Sequence, residues 1–540
     1  SLPATMSHEE LKAIEGGVLL LSAPTLEELK AAVGAQSFDG PLFDEDPKGH
    51  RLSQALQNAS ASFDATAPFR MAIVATSWSE FTKRQTLAGQ AMMDPAKWGF
   101  LQAQGVLITD QAPLPPEAKT VHMYPGQGSQ YVGMTADLVQ RFTAPAQVWA
   151  QADETMIQVL GGETLSGFVL RSSLSKEELK EAEHKLKQTE YTQPAMLTAD
   201  LAIERTLQAY GHAPDMVAGH SLGEYAALMS SGILDMDGAL RAAAARGTEM
   251  GSVEIDDKGL MASVTAPYEA VAATLEATEG YVIAANKNSP KMTVIAGETA
   301  PVQAAMASFE QQGYSCIALA TSHAFHSRIV APANEPLRRF LEGLEIRWPS
   351  VPITANVDGT FYPMKGEASK PAILEKLAPQ MASSVEWTKQ IETMYDAGGR
   401  VFVEVGPKRA LTMFAMQILE DRPHVPVMTN HPKQGGIASF LTAIGALALA
   451  GRPPQWPALD SGALQDGFKA GPIEARIAAP LKATASTSEL ESLRVRARPL
   501  PGTGASLSSA TPVPQAEGAD SDYARNRSIQ AYVGDRIARY

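Results

Sequence analysis

Ser221 stands at the centre of Gly219-His220-Ser221-Leu222-Gly223, directly after the apolar run Met216, Val217 and Ala218 and directly before an alanine-rich helical pattern. That order reads strand, sharp turn, helix. Glycines two residues to either side of the serine leave no Cβ atoms to clash across so tight a turn, so its hydroxyl sits exposed at the apex. The pattern is a nucleophile elbow, and it equally fits a connection whose serine only caps the helix. A nucleophilic serine needs a base, and Thr321-Ser322-His323-Ala324-Phe325-His326-Ser327 places two of the ten histidines three residues apart. Neutral imidazole can take a hydroxyl proton near pH 7 and later return one to a leaving group. No carboxylate or cysteine cluster accompanies them, which argues against a metal.

Two further stretches complete the chemistry. Pro125-Gly126-Gln127-Gly128-Ser129-Gln130 lies between an extended run, 121–124, and a helical one. Its free backbone N–H groups could hold a phosphate or a developing oxyanion. It has neither the lysine of a Walker A loop nor the spacing of a dinucleotide loop. Arg246 follows Ala242 to Ala245 on a helical pattern. There it is either a solvated charge or a guanidinium that pairs with a substrate carboxylate.

The elements that must position these residues form more than one unit, because 540 residues exceed a single core. A net charge of −14 leaves no basic footprint for nucleic acid or an anionic membrane. A single cysteine, Cys316, excludes a disulfide framework and fits a reducing cytoplasm. The longest apolar stretch, Ile437 to Ala450, is too short to span a bilayer. A start at Ser1 rather than Met suggests a segment of a longer polypeptide, or a trimmed chain.

In chain order, residues 1–115 alternate strand patterns (Val18–Leu21, Phe69–Ala75, Val106–Thr109) with helical ones and end at Ala112-Pro113-Leu114-Pro115-Pro116, a stiff linker. Thr192-Gln193-Pro194 opens an apolar helix to Tyr210, with Thr192 as cap. About 256–320 the order β, α, β, β, α, β is that of a ferredoxin-like unit, with Asn286 to Pro290 as a polar loop that could line a cleft. Pro352–Val357 and Val401–Val405 read as strands, the second ending in Glu404-Val405-Gly406-Pro407, and Ser439–Leu449 as a last helix. Beyond Leu459 the composition is that of a linker, with a weak helical pattern over Ser528–Tyr540.

PGQGSQ at 125–130, TQPA at 192–195, GHSLGEYAAL at 219–228, Arg246, NSP with VIAG at 288–297, HAFHS at 323–327 and EVGP at 404–407 occur in one order. This resembles the malonyl-CoA:acyl carrier protein transacylase family, and more closely the acyltransferase domains of polyketide synthases and polyunsaturated fatty acid synthases. The resemblance implies an α/β fold: an α/β-hydrolase-like core with a parallel sheet, an inserted ferredoxin-like subdomain at about 256–320, and a small α/β linker domain at the N-terminus. It divides the chain into a ketosynthase-to-acyltransferase linker domain at 1–115, an acyltransferase domain at 116–455, and a largely irregular post-acyltransferase linker at 456–540.

Residue by residue, Ser221 matches the family nucleophile and His326 its base. The backbone N–H groups of Gln127 and Leu222 match the oxyanion hole, and Arg246 the clamp on the malonyl carboxylate. His220, His323, Phe325 and Asn288 match the substrate pocket. A backbone carbonyl near EVGP is expected to orient the histidine in place of a carboxylate. The implied reaction carries malonyl from malonyl-CoA, through a malonyl-serine ester, to the phosphopantetheine thiol of an acyl carrier protein, with no permanently bound cofactor. A ketosynthase would lie upstream in the same polypeptide. Phe325 would crowd a methyl branch and so favour malonyl over methylmalonyl. Two other classes stay open: a serine esterase or thioesterase, which would not need Arg246 in the cleft and would place a carboxylate behind the histidine, and a non-catalytic docking module.

Overall fold

A computed structural model describes residues 16–38, 50–171, 174–367 and 371–457. The first unit is an antiparallel sheet of strands β1 (Gly17–Ala23), β2 (Phe69–Ala75) and β3 (Val106–Thr109), in that order. Around it lie helices α1 (Leu26–Ala35), α2 (His50–Ala59) and α3 (Trp78–Ala91). Thr25 caps α1 by accepting from Glu28 N, and Ser77 caps α3 by accepting from Glu80 N. Alternation along the strands sends Leu19, Leu21, Met71, Ile73, Val106 and Ile108 to one face, where Leu29, Val33, Leu56 and Phe81 of the helices close a small core. Val18, Leu20, Ala72, Val74 and Leu107 point the other way, and they are buried too.

The chain then runs through β4 (Lys119–Tyr124), α4 (Thr143–Met156), α5 (Thr189–Ala209), β5 (Met216–Gly219), α6 (Gly223–Ser230) and α7 (Met236–Gly251). It continues as β6 (Leu260–Thr265), α8 (Tyr268–Ala277), β7 (Val282–Ser289), β8 (Met292–Gly297), α9 (Thr299–Gln311) and β9 (Ser315–Ala318). The last part is α10 (Trp387–Asp396), β10 (Gly399–Pro407), α11 (Ala410–Leu419), β11 (Val425–Asn430) and α12 (Gly436–Leu449). Strands β11-β10-β4-β5 form a parallel sheet in that order. Both faces are covered, one by Trp387, Ile391 and Leu411 and the other by the α5 and α12 side, which is why these strands read as nearly unbroken apolar runs. Tyr124 pairs with Gly219, so the glycine-rich loop leaving β4 and the serine turn leaving β5 emerge side by side at the carboxyl end of the sheet. Sheets of this kind bind ligands there.

The insertion is a four-stranded antiparallel sheet in the order β7-β8-β6-β9, with α8 and α9 packed on it through Val271, Val302, Ala305 and Phe309. This is the ferredoxin-like arrangement. Three local expectations change. Asn286–Ser289 is not a loop but the end of β7, paired irregularly with β8 and bridged at Asn286 to Val385. Pro352–Val357 makes only isolated bridges, from Ile353 to Val217 and from Thr354 to Phe361, because the chain doubles back through Gly359 (φ 67°). Helix α5 begins at Thr189, so Pro194 lies inside it and Thr192 is not its cap. Pro194 lies past the first turn, so the helix forgoes the bond that an N–H there would make to Glu190 O.

Helix α12 is the apolar stretch too short for a bilayer. Nearly every residue on it is buried, because it lies between two units. Ile437, Phe440, Ile444 and Leu447 share one core with Val18, Leu20, Ala72 and Val74 of the first sheet. Gly445 permits the approach: a Cβ there would lie 2.9 Å from Ala72 Cβ. The fully buried Arg70 donates from Nε to Leu449 O at 3.0 Å, capping the helix's carboxyl end. Among the described residues, no helix is long and apolar enough to cross a membrane. The linker expected at 456–540, with its helical pattern at 528–540, lies outside the described residues from 458 onward.

Candidate active site

Ser221 lies between β5 and α6 with φ 53°, in the left-handed region. A Cβ on Gly219 would come within 2.0 Å of Gly223 C and O, and one on Gly223 within 2.0 Å of Tyr124 O. Only glycine fits either position. Left-handed backbone costs a serine roughly 1–2 kcal/mol, so neighbouring bonds must hold it. Asn356 does this: its Oδ1 accepts from Ser221 N and its Nδ2 donates to Gly219 O, both at 2.7 Å. Asn356 is fixed in turn by Glu224, whose Oε1 accepts from Asn356 N at 3.1 Å and from Tyr362 OH at 2.8 Å.

His326 Nε2 lies 2.6 Å from Ser221 Oγ. Its Nδ1 faces two backbone carbonyls, Ser383 O at 3.1 Å and Gln380 O at 3.3 Å. Carbonyls only accept, so the ring proton is on Nδ1 and Nε2 is left to accept from the serine hydroxyl. Burial, and then the nearby Arg246 and His220, hold the imidazole pKa down to about 3. The ring is therefore neutral at physiological pH. His326 too is left-handed, at φ 56°. The carbonyls come from 380–383 and not from EVGP, which corrects the expected source. The EVGP segment supports the glycine-rich loop instead: a Cβ on Gly406 would lie 2.4 Å from Pro125 Cγ. Glu404 Oε2 accepts from Thr412 N and Oγ1 at 2.7 and 2.8 Å.

Arg246, on α7, is 1% exposed. Its Nη1 donates to Gln193 Oε1 at 3.1 Å and its Nε to Gln380 Oε1 at 3.3 Å, both neutral amides. The ring of Tyr225 lies 5.9 Å from its guanidinium carbon. Nη2 is buried without a hydrogen-bond partner. A buried guanidinium with a free fork tip is built to receive an anion. Gln380 also donates from Nε2 to Ser221 O at 2.6 Å, so this one residue touches the serine, the histidine and the arginine.

The glycine-rich loop passes against the elbow: a Cβ on Gly126 would lie 2.5 Å from His220 O and 3.3 Å from Leu222 N. This sets Gly126, the residue before Gln127, against Leu222 at the amino end of α6. A serine, a neutral histidine, two loop segments rich in N–H groups and a buried cation are the groups that acyl transfer through a serine ester calls for. Residues 121–453 match the family model described as acyl transferase domain. The chain belongs to this family and is an acyltransferase.

The acyl transferase is 34% identical over 303 residues to the malonyl CoA-acyl carrier protein transacylase of Escherichia coli, spanning 55% of this chain and 92% of that one. It is 29% identical over 436 residues to a polyunsaturated fatty acid synthase polypeptide of Thraustochytrium sp., covering 79% of this chain but only 14% of that protein. Among solved structures, the acyltransferase domain from the second module of the salinomycin polyketide synthase superposes with a TM-score of 0.61 at 26% identity, over 84% of this chain and 98% of that one.

The remaining expected residues of the acyl transferase divide. His220 Nε2 meets Asn288 Oδ1 at 2.7 Å beside the elbow, with Trp387 and Phe414 against the ring. Burial lowers the pKa of His220, so it is a neutral donor. Phe325 is buried next to His326. His323 is turned away: its Nε2 faces Val253 O at 3.0 Å and its Nδ1 Ser322 Oγ at 3.2 Å, which serves the loop rather than the serine. Sequence patterns do not single out Asn356 or Gln380, and they show Gln193 as part of a helix start and of the TQPA match, with no role assigned to it. The roles of all three arise from contacts more than 50 residues apart in the chain.

Proposed function

We propose that the site transfers malonyl from malonyl-CoA, through a malonyl-Ser221 ester, to the phosphopantetheine thiol of an acyl carrier protein, for polyketide or polyunsaturated fatty acid synthesis. The observation that carries the reading is Arg246: buried, held by neutral amides, with Nη2 unpartnered beside a serine–histidine pair. A malonyl carboxylate supplies the missing partner, and an acetyl group has none to offer.

In this reading Ser221 Oγ attacks the thioester carbonyl as its proton passes to His326 Nε2. The N–H groups of Gln127 and Leu222 meet the tetrahedral oxyanion, each worth about 3 kcal/mol where such donors have been removed. Collapse expels the CoA thiol, which takes the proton back from His326, and leaves the ester. The carrier thiol then attacks by the same route reversed. His220, Asn288 and Phe325 would line the acyl pocket. Two carbonyls behind His326, where an esterase would carry a carboxylate, also support the transferase reading.

Residues 1–115 are proposed as a ketosynthase-to-acyltransferase linker domain, 116–455 as the acyltransferase and 456–540 as a post-acyltransferase linker, with a ketosynthase upstream, in the cytoplasm. The test is direct. The protein is incubated with malonyl-CoA, the malonyl adduct on Ser221 is sought by intact mass, and carrier protein is added. Transfer to the carrier supports the reading. Release mainly to water would make it a hydrolase, and no adduct at all would make it a docking module.

A further inference from the structure

We propose that Lys408, His431 and Lys433, gathered beside the glycine-rich loop, bind the phosphate of a phosphopantetheine arm, whether that arm belongs to CoA or to the carrier protein. The inference rests on the acyl-transfer reading above. It starts from charge: the chain carries −14 overall, and many of its lysines and arginines sit in ion pairs, such as Lys287–Glu386, Lys291–Glu420 and Lys376–Asp358. Among the described residues, Lys408 and Lys433 make no such pair.

Lys408 follows β10 with φ 69°, one of few non-glycine residues in the left-handed region. Its Nζ donates to Gly128 O at 2.7 Å, which ties the cation to the loop that carries the Gln127 N–H. Its backbone is bridged to Asn430, so the next residue, His431, runs alongside it. Lys433 N donates to His431 Nδ1 at 3.3 Å, which leaves the ring proton on Nε2. Burial, then Arg409, Lys433 and Lys408, depress the basicity of His431, and burial does the same for Lys408. The imidazole is thus a neutral N–H donor in the field of three cations, Arg409, Lys433 and Lys408. Lys408 and His431 are partly withheld from water, and like charges held together there are unfavourable alone and become favourable around an anion.

The arm's chemistry selects that anion. Between the reacting thiol and the phosphate, phosphopantetheine has two neutral amides and no other charge. A cluster tied to the oxyanion loop can therefore recognise either donor or acceptor by the feature they share, and it can steer both.

Acylation of Ser221 is followed by intact mass with three donors: malonyl-pantetheine, malonyl-phosphopantetheine and malonyl-CoA. The expected result is that the phosphate raises kcat/KM about tenfold, that the gain shrinks with salt, and that it disappears in the double variant Lys408→Ala with Lys433→Ala, read as the ratio of the phosphopantetheine to the pantetheine rate so that any slowing from the lost Gly128 tie cancels. Lys433→Ala alone, which leaves the Gly128 tie intact, should remove part of the gain. No phosphate gain in the parent, a gain that survives in the double variant, or equal slowing with malonyl-pantetheine overturns the proposal. Release of malonyl from the acyl-enzyme to the carrier is measured in parallel. A raised carrier KM shows that the site reads the carrier's phosphate too, and an unchanged one that it reads only CoA's. If no donor acylates the parent, the acyl-transfer reading fails instead. Calorimetric binding of phosphopantetheine against pantetheine then decides the site by itself.

Discussion

Ser221 and His326, the proposed nucleophile and base, share a strained left-handed backbone but reach it by opposite routes. The Ser221 turn is built almost wholly from its own neighbours: glycines at 219 and 223 whose Cβ atoms would collide with backbone, a short strand before it and a helix after it. The His326 turn is built from afar. Its N–H donates to Met381 O, its Nδ1 faces Gln380 O and Ser383 O, and no close neighbour in sequence supplies those acceptors. Local construction makes a position intolerant of any change in shape. Construction from a distance makes it depend on residues that carry no chemistry of their own.

Ways to break that contrast follow in order of expected effect. Ser221→Ala should abolish the acyl adduct and lower transfer by about 10⁴-fold or more with the melting temperature intact. Gly219→Ala, two residues away, should lose folded protein as well, seen in soluble yield and Tm, because a Cβ there has no space. If that variant folds and works, the serine turn is not locally determined.

Arg246→Ala should reduce malonyl loading by about 10²- to 10³-fold, read as kcat/KM. It should also move the pH profile. Burial and the Arg246 cation together hold the His326 imidazole near a pKa of about 3, so removing the cation raises that value. The acid limb of kcat/KM should shift upward in pH, toward the ordinary histidine range. An unshifted limb would show that burial alone sets the imidazole.

Gln380→Ala and Asn356→Ala test the distant supports. Each should lower kcat by about 10²-fold with KM for malonyl-CoA changed less than threefold, since each leaves buried backbone groups at the serine unpaired. A larger effect on KM than on kcat would assign them to substrate binding. The smallest effect is expected for Phe325→Ser, which should raise the methylmalonyl-to-malonyl ratio of kcat/KM by about tenfold at most, because one methyl group discriminates weakly.

The same contrast explains what can be read from the sequence. The elbow, the order β, α, β, β, α, β of the insertion and the strands of the first unit follow from patterns that close within a few residues, and the parallel core follows from the family resemblance. What depends on pairing across the chain does not. The carbonyls behind His326 are expected at EVGP and found at 380–383, where Leu377-Ala378-Pro379-Gln380-Met381 has no pattern to announce them. Thr192-Gln193-Pro194 has the composition of a helix start. Its Gln193 instead faces Arg246 from inside α5. Asn286–Ser289 has loop composition yet lies in β7, because an irregular pairing and the Val385 bridge complete its hydrogen bonds.

Helix α12 carries a consequence for synthesis. The face of the first sheet formed by Val18, Leu20, Ala72 and Val74 is complete in sequence by residue 109, but the helix that covers it begins at Gly436. On a ribosome adding about 5–20 residues per second, that apolar face waits tens of seconds for its cover. The first unit thus shows an uncovered apolar face throughout most of the chain's synthesis. Nascent chains stalled before Gly436 should present it to proteases and hydrophobic dyes, and chains released after Leu449 should not.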